Sequence, residues 1–150
     1  MRTFTTTTTV YTFDELSDDA KQKALEDNSE INVEYWEWWD SIEGDANEIG
    51  LDITEFDTDR QTIDGKLTDD LQGVCKAILA NHGKDCDTYK LAEQWQHKHG
   101  EDNEQEFLKA LLGEYLQMLI QEYEFCTSDE SIADTLIANE YEFTKEGVMV

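Results

Sequence analysis

Proline is absent from this chain and basic residues are scarce: 11 Lys and Arg stand against 36 Asp and Glu in 150 residues, a formal net charge of -25. Without proline the commonest helix breaker is missing, and a Pro-rich linker is excluded. The shortage of cations argues against direct nucleic-acid binding, which works by neutralising phosphates with Lys and Arg. It argues equally against an anionic membrane surface, which repels acid. No apolar run approaches the roughly 18 residues that a transmembrane helix needs. Cysteine is sparse and unpatterned: Cys75, Cys86 and Cys126 are odd in number, far apart and without a CxxC pair. That pattern fits buried thiols in a reducing compartment better than a disulfide framework. Met1 and Arg2 lead into a Thr-rich run, not an apolar stretch, so no secretory signal is expected and the expected location is cytoplasmic.

What is present indicates a folded chain. The hydrophobic fraction is 39%, aromatics make up 11%, and four residues are Trp. Disordered acidic tails lack that aromatic content. The length suits one domain with a real core. A charge so far from zero opposes compaction by self-repulsion, so it calls for a reason: solubility, high salt or a basic partner.

Read along the chain, Thr5 to Phe13 is β-branched and aromatic and predicts a strand. Ser17 is placed as an N-cap with Asp18 and Asp19 in the first turn, Leu16 stapling the entry and Asn28 ending the helix. A second helix is expected over Val33 to Ile49, stopped by Gly50. Leu51, Ile53 and either Glu55 or Phe56 predict a strand with a possible bulge. Arg60 to Leu67 predicts its hairpin partner, with Asp57-Thr58-Asp59 as the turn. Thr68 is the expected cap of a third helix that Gly83 ends. A fourth starts at Asp85 or Asp87 and stops by Gly100. The strongest apolar stripe lies between Asn103 and Phe125, with Leu112, Tyr115, Leu116 and Leu119 as core. Ser128 caps a sixth helix, and Tyr141 to Phe143 and Val148 to Val150 read as extended. This order predicts a mainly helical α+β fold, residues 1–150 forming a single acidic domain with a small antiparallel sheet. In that sheet the N-terminal strand is expected to pair with the central hairpin, since a two-stranded ribbon alone is marginal.

Several stretches carry a resemblance: Phe13 to Ala24, the Trp-rich Tyr35 to Trp39, Asp45 to Ile49, Gly65 to Asp70 and Ala138 to Thr144. Together they resemble a family of small acidic accessory proteins of tailed phages and prophages. The resemblance brings no catalytic residues with it. It implies a genomic setting and no settled activity: the cytoplasm of a bacterial host cell during infection, where phages deploy many small accessory proteins that bind host machinery, inhibitors of defence nucleases among them.

The candidate chemistry lies in the acid. From Asp14 to Asp59 there are 17 acidic residues and two basic ones. Carboxylates three or four residues apart on a helix stand about 5–6 Å from one another, a scale similar to the spacing of phosphates on nucleic acid. A surface of that kind suits a groove lined by Lys and Arg; the plain alternative is a solvated, solubilising face. The candidate partner-binding residues are Glu34, Glu37, Asp40, Glu43, Asp45 and Glu48, with Trp38 as an exposed aromatic anchor and Trp36 and Trp39 in the core. His82, His97, His99, Cys75 and Cys86 lack metal-ligand spacing, and Asp52 to Asp64 misses the calcium-loop pattern. No GxSxG, GxxxxGK[ST] or GxGxxG occurs. No catalytic residue, metal or cofactor is therefore assigned. The expected function is a non-enzymatic inhibitor of a host nucleic-acid-processing or defence complex, of anti-CRISPR or anti-restriction type, acting as a nucleic-acid mimic on a basic protein or nucleoprotein partner. An antitoxin-like neutraliser of a basic protein is the alternative, and a small enzyme the third.

Overall fold

Side-chain caps start three of the six helices in the computed structural model, which describes residues 1–150. The chain is 54% helical, a mainly helical α+β fold. After strand β1 (Tyr11–Thr12) and a single 3-10 turn (Phe13–Glu15) comes helix α1 (Asp18–Asp27). Ser17 caps α1 by accepting the Ala20 N–H at 3.2 Å, and Asn28 closes it. Ser128 caps helix α6 (Asp129–Ala138) in the same way through the Ser131 N–H. In both helices two acids fill the first turn, where the helix dipole favours them.

Helix α2 (Glu37–Glu48) starts later than its apolar pattern suggested, leaving Trp36 as the cap residue. Gly50, at a φ of +91°, turns the chain into strand β2 (Leu51–Asp57), a left-handed position that glycine takes without a Cβ penalty. Strand β3 (Thr62–Leu67) pairs antiparallel with β2, from Leu51 opposite Leu67 to Asp57 opposite Thr62. The register shifts between Ile53 and Glu55. This bulge resolves the choice the alternation left open: the extra residue sets Phe56, not Glu55, against the aromatic residues of α2. Asp57 closes the hairpin by accepting the N–H groups of Asp59 and Arg60.

Helix α3 (Leu71–Asn81) corrects one cap. Asp70, not Thr68, accepts the Gly73 N–H at 2.7 Å. Thr68 is held at the end of the hairpin by donating its own N–H to Gly50 O at 2.8 Å, which delays the helix. Helices α4 (Asp87–Trp95) and α5 (Glu101–Cys126) follow, and strand β4 (Glu142–Phe143) ends the order.

The sheet arrangement differs from the expected one. There are two two-stranded sheets, β2 with β3 and β1 with β4. The N-terminal strand therefore pairs with the C-terminal end, Tyr11 opposite Phe143, and not with the hairpin. It is also short: residues 1–10 form no strand and are exposed. A threonine run has no apolar face to bury, and pairing begins only where Phe13 packs edge-on against Phe143, ring centres 6.3 Å apart.

Two compact units result, residues 1–35 with 124–150, and residues 36–123. The first buries Phe13, Leu16, Ala20, Ala24, Ile132, Leu136 and Phe143. The second buries Ile49, Leu51, Val74, Ile78, Phe107, Leu111 and Tyr115. Leu112, Leu116 and Leu119 are buried with Tyr115 along α5, as the stripe predicts. No helix is long and apolar enough to cross a membrane.

Candidate functional site

Helix α2 sorts the candidate residues by a simple rotation. At 100° per residue, Trp38, Trp39, Ile42, Ala46 and Ile49 fall on one side of the helix and are buried or half-buried. Glu37, Asp40 and Glu48 fall on the opposite side, exposed, with Ser41 and Gly44 between them. A Cβ added at Gly44 would meet nothing within 4 Å, so the middle of this face is low and open. No salt bridge engages Glu37, Asp40 or Glu48. The result is an acidic stripe with its three carboxylates unpaired.

The remaining candidates separate from it. Glu43 lies on the flank, half-buried. Glu34 is exposed but stands outside the helix, in the turn-rich segment of the other unit. Trp38, expected as the exposed anchor, is half-buried: its ring meets Trp39 at 5.4 Å, Phe56 at 6.0 Å and Tyr123 at 5.4 Å, all edge to face. The exposed indole is Trp36, at 54%. The helix begins one residue after Trp36, so Trp36 does not share the inward face that spacing from Trp39 implied.

Asp45 is occupied by the fold. It accepts the Tyr115 hydroxyl at 2.7 Å, and Nε2 of His82 lies 3.1 Å from its carboxylate. The other ring nitrogen of His82 lies 2.5 Å from Thr88 Oγ1. Asp, His and Thr in that order imitate a hydrolytic triad. Thr88, however, has no exposed surface at all, so its hydroxyl cannot meet a substrate. The chain of contacts is better explained as a tie. It joins α2, the C-cap of α3, the first turn of α4 and the middle of α5, and it satisfies polar atoms that would otherwise be costly to bury. Burial first, then the Asp45 contact, push the Tyr115 hydroxyl well above its ordinary range. Asp45 and its partners lie 27 to 70 positions apart in sequence, except for the close His82–Thr88 pair, and no local motif signals them.

Other titratable groups are displaced for local reasons. Glu15 is held below the usual carboxylate range by the Thr12 N–H at 2.8 Å and then by the Thr12 hydroxyl. Burial, then Asp87 nearby, raise Glu114. Burial pushes the Cys75 thiol up to about 11, where it is inert. No cluster of three or more His, Cys, Asp or Glu side chains is arranged to hold a metal ion.

The chain matches no family model, and no curated protein or solved structure matches it.

Proposed function

We propose that this protein is a non-enzymatic binding protein whose acidic α2 face docks on a basic protein surface and keeps nucleic acid from it. The observation that carries the reading is the stripe Glu37, Asp40 and Glu48: three exposed carboxylates with no cation beside them, flanking an open Ser41–Gly44 centre. Glu37 and Asp40, three positions apart, stand on about the scale of neighbouring phosphates, and Glu48 extends the charge roughly 12 Å further along the helix. A partner shaped for nucleic acid supplies the Lys and Arg that this chain lacks. The attraction steers encounter and raises the association rate, while contacts beside the stripe set how long the complex lasts. The target class that fits is a nucleic-acid-processing or defence complex of a bacterial host, with inhibition of CRISPR or restriction machinery as its most concrete form. The triad-like contact of Asp45, His82 and Thr88 lends no support to a catalytic reading, because the Thr88 hydroxyl is buried.

The test is competition. A partner recovered from bacterial lysate on the immobilised protein is challenged with duplex DNA and RNA, and its association kinetics are measured at low and high salt. Nucleic acid should displace the protein, and salt should slow association because exposed charges are screened beyond about 8 Å at physiological ionic strength. The triple variant Glu37→Lys, Asp40→Lys, Glu48→Lys should fold and lose the partner. Unchanged binding by that folded variant would remove α2 as the surface, and association indifferent to salt would remove the electrostatic mechanism.

A further inference from the structure

Beside the acidic stripe lies a cavity of different chemistry. About 470 Å³ in volume, it opens between α2, β2 and α5, with Trp39, Ile53, Phe56 and Leu119 as its apolar lining and Glu43 and Glu55 as its charged groups. Leu119 forms a floor that is 1% exposed. The Trp39 and Phe56 rings both line the cavity and meet edge to face, 5.6 Å apart with planes at 77°. Trp38 braces both from behind. The β2 bulge makes the arrangement possible: it brings Phe56 to the indoles and leaves Glu55 exposed. No salt bridge of the fold takes Glu43 or Glu55.

Each class of occupant meets this lining differently. An anion is repelled by two carboxylates. A neutral apolar group fills the floor but strips water from the carboxylates without replacing it. A cation on an apolar stem satisfies both halves, since the ring faces attract positive charge and the stem covers Leu119 and Ile53. Guanidinium fits better than ammonium: it is planar, sheds water more readily, stacks on aromatic rings and donates forked hydrogen bonds to carboxylates. We propose that this cavity receives an arginine side chain of the basic partner. The inference rests on the proposed function. Glu43 stands one helical turn from Asp40, so the cavity adjoins the stripe that would capture the partner.

The test uses the full-length protein labelled with nitrogen-15, with the indole N–H signals assigned by Trp→Phe variants. The probes are blocked tripeptides Gly-Arg-Gly, Gly-Lys-Gly and Gly-citrulline-Gly, citrulline keeping the shape of arginine without its charge. The arginine peptide should give a saturable shift of the Trp39 indole signal. Citrulline should bind at least about tenfold more weakly, and the Glu43→Gln/Glu55→Gln variant should lose about as much. Should the double variant lose signal dispersion, Glu55→Gln alone is used, because Glu55 is exposed. Phe56→Leu should weaken arginine binding while keeping a well-dispersed spectrum. A shift that never saturates, equal binding of citrulline, equal binding of lysine, or unchanged affinity in the neutralised variant would each overturn the assignment. The two readings fail separately. If the stripe variant loses the partner but the tripeptide never saturates, only the cavity is wrong. If the tripeptide binds and the stripe variant keeps the partner, the cavity stands and the stripe is wrong.

Discussion

At the scale of single residues, chemistry follows burial. Cys86 is exposed, whereas Cys75 and Cys126 are buried. A maleimide or disulfide reagent should therefore modify one thiol, Cys86, in the native protein and all three after unfolding. Mass spectrometry of the labelled peptides checks this, and rapid native labelling at Cys75 would contradict its burial and raised thiol. Glu15 supplies a pH signature. Its folded carboxyl is held below its ordinary range by two hydrogen bonds from Thr12. A lowered folded value contributes stability above the ordinary carboxylate range and loses it as pH falls through the lowered value. Glu15→Gln should accordingly be less stable than the parent near neutral pH, and the difference should close on acidification. Parallel urea titrations across pH measure it; a gap that widens toward acid would reverse the sign of the assignment.

Within elements, two glycines make opposite forecasts. Gly113 lies inside α5, is exposed, and a Cβ there would meet nothing within 4 Å. Gly113→Ala should stabilise by about 0.5–1 kcal/mol, because glycine in a helix interior forfeits backbone entropy. Gly65 lies in β3, where a Cβ would stand 2.6 Å from Asp52 O and 2.9 Å from Leu112 Cδ2. Gly65→Ala should destabilise by roughly 1–3 kcal/mol, the usual range for overpacking. Chemical denaturation of the pair reads both signs. A stabilised Gly65→Ala would mean that the hairpin does not lie this close to α5. The caps at Ser17 and Ser128 were legible because the acid that follows each one marks a helix start. The cap at Asp70 was not, since it depends on Thr68 being held by Gly50.

Across the whole molecule, charge works against the fold. With 36 acidic residues and 11 basic ones, self-repulsion destabilises the compact state, and added salt screens it. The melting temperature should rise as sodium chloride is raised from low to physiological concentration, the reverse of a protein held by surface ion pairs. Differential scanning calorimetry decides this; a fall would show that attractive pairs dominate. Docking of the proposed basic partner would offset part of this self-repulsion.

The sequence alone determined the mainly helical α+β class, the six helices, the central hairpin and the core stripe of α5. These features are set locally, by apolar periodicity, capping side chains and turn residues within a few positions of one another. Tertiary structure decided the rest. Which strand meets β1 depends on where Phe13 can find an apolar partner, and that partner is 130 positions away at Phe143. The exchange of roles between Trp36 and Trp38 depends on where α2 begins and on Phe56 and Tyr123 packing behind it. The loss of Asp45 from the acidic face depends on His82 and Tyr115. Acid could be counted in the sequence, but whether a carboxylate is available to a partner or spent inside the fold is settled only by what stands beside it in space.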